Sequence, residues 1–594
     1  MQDKEAKLFF IQKQLRGVSH FLKPYLPIAN AHMTDFIVRD WWNKLIPARV
    51  REDLLALSET DLTVLPSGKL YLSEKYSESD IINLQDQQEC LVVCGCRKNV
   101  LLGEIPAWDE SVMPIWKHET LKDFIVACQQ NQLVNMSVLN DVAMLLKNYG
   151  DYEFTVKEFM CLKKQHEVNL MTRICAAIAE QDNIKMIVDI GSGKGYLGSQ
   201  LTLQFGLSVF RKKQSADDQS VAAPCKTVED NLRGRFVAVT QYVNRYTDIE
   251  HLLRRHFAGS NTNSSCLSKL ESKATDNAEH NSDTFVHCPS KHQQASDSSD
   301  KATDEPECTL RNEQNSSVTC PKHIAIESIK PACHPEMNLP EEVDGQTESI
   351  QENGFVMEAA PLNYMIVGLH ACGDLTPNTL RLFVEQPNAG ILCNVGCCYH
   401  HLSETFIRSP YEKDELDSTE KGFPLSEFLY CRGCQLGRNA RMLASQAPDR
   451  MADIGKTSNR SLYWRALLQV ILHDITGEIR DDWRVGKIAP KCGDFNEYVE
   501  KAFIKLGFEN KLATTDVGNY ERQYASYQNY IKCFVHLKAA LAPCIEALIL
   551  LDRACFLLEQ DAVRDVHLVQ AFNPVISPRC YAIIATKSTH SKRS

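Results

Sequence analysis

The sequence predicts an α/β protein built on a mostly parallel, seven-stranded sheet, with a helical N-terminal region and a long disordered insertion. Three observations carry this reading. Short β-branched runs are followed at once by glycine or polar turns, and stretches of helical periodicity separate several of them. From Gly259 to about Asn353 the chain is rich in Ser, Asn, Thr, Asp, Glu and His and nearly empty of large apolar residues. Such a segment buries too little to offset its ordering entropy.

Residues 1–150 read as the helical N-terminal region, because Leu8, Phe9, Ile11 and Leu15, and later Leu133, Val138, Val142, Leu145 and Leu146, recur at helical spacing. Within it, Asp40-Trp41-Trp42-Asn43 followed by Ile46-Pro47 is read as a helix-packing anchor in preference to a recognition patch.

Residues 151–258 hold the first part of the sheet domain. A helical pattern over Glu158–Glu180 leads into a strand at Ile184–Ile190, and further strands are expected at Leu207–Phe210 and Arg235–Val243. After the insertion at 259–353, residues 354–594 resume the sheet with strands at Tyr364–Leu369 and Ala389–Val395. Helices are expected at Leu462–Leu472, Asn496–Leu506 and near 535–560, then strands at Val566–Phe572 and Cys580–Thr586. The turn residues Asn573-Pro574 and Ser577-Pro578 make that last pair antiparallel at the sheet edge.

The chain has 594 residues, of which 44% are hydrophobic and 24% charged, which excludes fibrous and wholly disordered classes. Its net charge of −11 leaves any nucleic-acid surface to a local basic patch. The 23 cysteines are scattered and are read as reduced thiols. The N-terminus shows no signal-peptide pattern, and the apolar stretch Leu537–Leu558 is broken by Lys538, Pro543, Glu546, Asp552 and Arg553. A cytoplasmic or nuclear protein without a membrane partner is expected.

The sharpest chemical signal is Asp189-Ile190-Gly191-Ser192-Gly193-Lys194-Gly195, at the end of an apolar strand and before a helix. Glycines there let the backbone approach a ligand without Cβ obstruction. The order Asp-x-Gly-x-Gly-x-Gly is the pattern of class I S-adenosylmethionine-dependent methyltransferases, with a Rossmann-like sheet. Asp189, Gly191, Ser192, Gly193, Lys194 and Gly195 are accordingly the candidate cofactor-binding residues. A P-loop is excluded, because Val188 stands where its first glycine belongs and Gly195 where its Ser/Thr belongs. Gly193–Gly198 also spells a dinucleotide motif, and Arg211-Lys212-Lys213 after the second strand would suit NADP. The same three residues occupy the place of a ribose-binding acid, and Asp217 and Asp218 come several positions later.

The fourth strand ends in Gly368-Leu369-His370-Ala371-Cys372-Gly373-Asp374. His370 is the candidate general base and Asp374 its orienting partner, with helix capping as Asp374's competing role. The fifth strand ends in Cys397-Cys398-Tyr399-His400-His401, and Cys431 and Cys434 follow. These residues offer enough donors for tetrahedral zinc. However, no second Cys-x-x-Cys or spaced His pair accompanies them, so they are read as pocket lining and no metal is assigned. Lys163-Lys164-Gln165-His166-Glu167 opens the helix before the first strand, where it either reaches back over the cofactor pocket or forms a charged, solvated helix start.

With these pieces in place, the chain resembles the methyltransferase-like protein 25 group, which includes the ribosomal RNA adenine dimethylase domain-containing relatives. The resemblance rests on Lys163–Val168, Asp189–Gly195, Gly368–Leu375, Val395–His400, Tyr463–Leu468 and Pro574–Arg579, and covers most of the chain outside the insertion. It implies an S-adenosylmethionine-dependent methyltransferase, with the cofactor held at Asp189, Gly191, Gly193 and Gly195. The methyl acceptor expected here is RNA or protein on the general reading of the fold, not on the resemblance. No Asn/Asp-Pro-Pro-Tyr follows any strand, which argues against adenine N-methylation. Two rival readings are a scaffold that has lost turnover and an NADP-dependent reductase.

Overall fold

The computed structural model describes residues 2–68, 116–142, 160–213, 236–240, 247–257, 363–407, 421–446, 448, 460–480 and 483–587. The insertion expected at 259–353 lies outside them, as do Asp217 and Asp218.

All seven expected strands form. They are β2 (Met186–Ile190), β3 (Ser208–Lys213), β4 (Phe236–Thr240), β5 (Tyr364–Cys372), β6 (Ala389–Cys397), β7 (Val563–Gln570) and β8 (Tyr581–Lys587). An eighth, β1, spans only Leu139–Asn140 and pairs parallel with β7. The order across the sheet is β1-β7-β8-β6-β5-β2-β3-β4. Only β8 runs against its neighbours, pairing antiparallel with β6 and β7. The chain leaves β2 toward β3 on one side and returns to β5 on the other, so the sheet has its topological switch point between β2 and β5. Ligands of open α/β sheets bind outside the strands' carboxyl ends at that point.

Both faces of the sheet are covered, which explains why its strands read as continuous apolar runs. On one face, Ile187, Val209, Met365, Val367, Cys393 and Val395 pack against Val168, Met171 and Ile178 of the helix Leu162–Gln181 and Leu201 of the helix Tyr196–Phe205. On the other, Val188, Phe210, Ile366 and Leu392 join the helices Leu375–Glu385 and Ala542–Glu559 and the N-terminal helices in one core.

The N-terminal helix Gln2–Leu22 lies along Ala542–Glu559, where Lys7 pairs with Asp565 at 2.6 Å and Lys4 donates to the Gln560 carbonyl at 2.7 Å. Trp42 is buried and stacks on Tyr530 at 4.8 Å between ring centroids, the packing role expected of the tryptophan pair.

Several boundaries differ from expectation. Leu133–Asn135 is a 3-10 turn leading to β1, not a continuing helix, because β1 finds an edge partner in β7. The long helix near 535–560 is two helices, Tyr527–Ala539 and Ala542–Glu559. Pro543 in the first turn of the second lacks an amide hydrogen, and its ring opposes an uninterrupted helix. Tyr527–Glu559 is apolar and long enough to cross a membrane, yet 83% of its most apolar window is buried inside the protein, as in a core element.

The second strand is also longer than expected. Arg211, Lys212 and Lys213 are paired strand residues, with Asp189 and Ile190 opposite the first two on β2 and Ala238, Val239 and Thr240 opposite all three on β4. They do not begin a loop, because ladder partners on both sides outweigh their poor strand propensity.

Candidate active site at the carboxyl edge of the sheet

At the end of β2, Asp189 is fully buried, and the chain then turns through Gly191, Gly193 and Gly195 at φ of 72°, 54° and 78°. All three lie in the left-handed region, which only glycine enters without strain. The Gly195 amide closes the turn on the Ser192 carbonyl at 2.9 Å, and the helix Tyr196–Phe205 starts at once. A Cβ on Gly191 would meet Leu375 Cδ2 at 2.9 Å, whereas one on Gly193 would meet nothing within 4 Å. Open space above exposed Gly193 and Lys194 is thus bounded by a turn that carries no side chain at its apex.

His370 sits in a bulge of β5. Up to Leu369↔Val395 the strands pair in one register. After the bulge the pairs are Ala371↔Gly396 and Cys372↔Cys397. His370 takes up the extra residue at φ 65°, and its side chain leaves the ladder toward Glu167 on the helix Leu162–Gln181. Its Nε2 lies 2.8 Å from Glu167 Oε2, while Ser577 donates to Glu167 Oε1 at 2.6 Å and Lys163 stands 3.6 Å from that oxygen. Burial pushes the Glu167 carboxyl up, but the hydrogen bonds and charges of His370, Ser577 and Lys163 prevail and hold it at about 2. Burial lowers His370 against the pull of Glu167, favouring neutral imidazole. A carboxylate at Nε2 selects the tautomer protonated there and leaves Nδ1 as acceptor.

Asp374 is not the partner of His370. It occupies the N-cap position of Leu375–Glu385 but its side chain makes no cap hydrogen bond there, and its Oδ1 accepts instead from the Ser403 amide at 2.9 Å. Sequence reasoning missed Glu167 as the partner, although it had marked the segment that contains it. His166 also binds outward, accepting at Nε2 from the Asn573 amide at 3.1 Å. That segment therefore ties the turn 573–579 to the site. Lys164, lowered by burial, feels the charges of both Glu167 and Asp189.

The cysteine cluster is regrouped. Cys372, Cys397 and Cys398 bring their sulfurs within 4.8 Å of one another, with Cys372 and Cys397 at 2.9 Å. Cys431 instead contacts Glu427, and half-buried Cys434 lies near Asp552 and Glu404, so neither joins the group. The missing member, Cys372, was hidden because it lies 25 residues from Cys397 in the chain and only the strand register makes them neighbours.

A mixed sheet in the order β4-β3-β2-β5-β6-β8-β7, with the glycine turn at its switch point, defines a class I methyltransferase fold. A family profile described as a methyltransferase domain matches residues 163–405, from the start of the Lys163–Glu167 segment past β6. Over 616 aligned residues the chain is 31% identical to a mouse protein named probable methyltransferase-like protein 25, covering 97% of this chain and 96% of that one. The human protein of the same name is also 31% identical, with 97% of each chain covered. No solved structure matches. The chain belongs to the methyltransferase-like protein 25 family and is a methyltransferase. That assignment displaces the reductase reading.

Proposed function

We propose that the protein transfers the methyl group of S-adenosylmethionine to a nucleophile on an RNA or protein acceptor, in the cytoplasm or nucleus. The observation that carries this is the three-glycine turn after Asp189, at the switch point between β2 and β5. Methyltransferase domains of this class generally use S-adenosylmethionine. The residues present fit it, because the turn leaves the space above Gly193 free of any side chain. Gly191, Ser192, Gly193, Lys194 and Gly195 would line it, with buried Asp189 at the strand end before the turn.

Bound there, the cofactor supplies an electrophilic methyl group on a sulfonium sulfur. The chain's own task is to orient the acceptor, exclude water and take up a proton. Nδ1 of His370 is the acceptor positioned for that proton, at the carboxyl end of the adjoining strand, with Glu167 fixing the ring through Nε2.

Isothermal titration of the full chain with S-adenosylmethionine, S-adenosylhomocysteine and NADPH tests the reading. Binding of the first two, abolished in Gly193→Arg while the variant stays folded, is the expected result. Failure of both to bind, or binding of NADPH alone, would overturn it.

A further inference from the structure

We propose that Cys372, Cys397 and Cys398 form a zinc site at the carboxyl edge of β5 and β6, a site the methyltransferase reading does not require. Three features of the backbone build it. The bulge at His370 shifts the register so that Cys372 lies opposite Cys397 on the neighbouring strand. Both then share the sheet face covered by the helix Leu162–Gln181, where Cys393 and Val395 precede them. Cys398, the next residue, adopts φ 51° and ψ 50°. In an extended strand its side chain would point to the opposite face. The left-handed conformation breaks that alternation and lets adjacent cysteines serve one ion.

The spacing suits a metal. Tetrahedral zinc thiolates have Zn–S bonds of about 2.3 Å, which sets neighbouring sulfurs about 3.8 Å apart. The three sulfurs lie within 4.8 Å of one another, the closest pair at 2.9 Å, separations that bracket that value. His400 follows Cys398 by two residues, and its buried Nδ1 has no hydrogen-bond partner among the described residues, although it lies outside the group of three sulfurs.

The charges are those a zinc tri-thiolate needs. Three thiolates and one Zn²⁺ carry a net charge of −1. Three cations surround the cluster: Lys164 and Arg553 interact with Cys397, and Arg579 with Cys372 and Cys398. Arg553 is completely buried, and none of its three nitrogens has a hydrogen-bond partner among the described residues. Asp552 and Asp374 also act on this buried guanidinium, and an anionic metal cluster would add a further counter-charge. Soft thiolate donors select zinc or cuprous ion over magnesium or calcium. As Zn²⁺ enters, three S–Zn bonds form and three thiol protons pass to solvent.

The full chain, purified under reducing conditions and reconstituted with zinc, would be compared with a Cys372→Ser/Cys397→Ser/Cys398→Ser variant by elemental analysis. Cysteines elsewhere, such as Cys94 and Cys96, also have thiols to offer. The decisive quantity is therefore the difference, expected to be about one zinc per chain, with Cys431→Ser/Cys434→Ser losing none. Cobalt is the second probe. A thiolate-to-cobalt charge-transfer band in the wild type, weakened when the three cysteines alone are replaced, supports the site. Equal zinc in the wild type and the triple variant, or a wild type that shows no thiolate–cobalt band at all, would overturn it whether or not the variant folds.

Discussion

Glu167 and His370 lie 203 residues apart in the chain, and Glu167 Oε2 meets His370 Nε2 at 2.8 Å where the first helix of the sheet domain crosses the end of β5. Glu167 is 1% exposed and also accepts from Ser577, so one carboxylate links the helix before β2, the bulge of β5 and the turn between β7 and β8. Substitutions at Glu167 should therefore act on stability and on the site together.

Glu167→Ala leaves His370 and Ser577 without their buried acceptor and is expected to cost about 3–5 kcal/mol, the usual penalty for removing one partner of a buried pair. Glu167→Gln keeps an oxygen toward Ser577 and should cost roughly 1–3 kcal/mol, as for a weakened buried hydrogen bond. Urea unfolding of the two variants checks the order. Equal, near-zero losses would contradict the three-way link.

Gly191 and Gly193 should respond differently to alanine. A left-handed φ costs a non-glycine residue roughly 1–2 kcal/mol at either position. At Gly191 the new Cβ also drives into Leu375, whereas at Gly193 it enters open space. Thermal unfolding should place Gly191→Ala below Gly193→Ala. Cofactor titration should find Gly193→Ala weakened despite its sound fold, because the added methyl group occupies the space above the turn.

Lys538 is buried between the helix Tyr527–Ala539 and the N-terminal region, where its Nζ donates to the Ala31 carbonyl at 2.7 Å. Burial alone lowers it from 10.5 to about 7. The unfolded chain thus binds the proton more tightly, and this group makes stability rise with pH between about 7 and 10.5, with the full penalty present below 7. Lys538→Met removes that slope. The variant should gain on the wild type by a few kcal/mol at pH 7, less the lost bond to Ala31, and the gain should shrink toward pH 10. Unfolding midpoints at several pH values test this. A gap that widens with pH would contradict the assignment.

The seven strands and the glycine turn were legible because their information is local. Ile187-Val188-Asp189-Ile190 is apolar and β-branched, and glycine three times at alternate positions has few uses other than a left-handed turn. The end of β3 was not legible, since Arg211-Lys212-Lys213 has loop-like composition and becomes strand only through partners on β2 and β4. The break at Ala540–Leu541 could have been read from Pro543.

The site divides in the same way. The sequence by itself determined the glycine turn, the presence of His370 at a strand end and the helix start at Lys163–Glu167, because each depends on residues adjacent in the chain. Only the tertiary structure decided that Glu167 and not Asp374 holds His370, and that Cys372 and not Cys431 or Cys434 joins Cys397 and Cys398. His370's turn toward Glu167 and Cys372's place opposite Cys397 both follow from one extra residue in β5, whose bulge changes which side chains share a face. A register shift of that kind is fixed by pairing between strands and leaves no mark in the spacing of either strand alone.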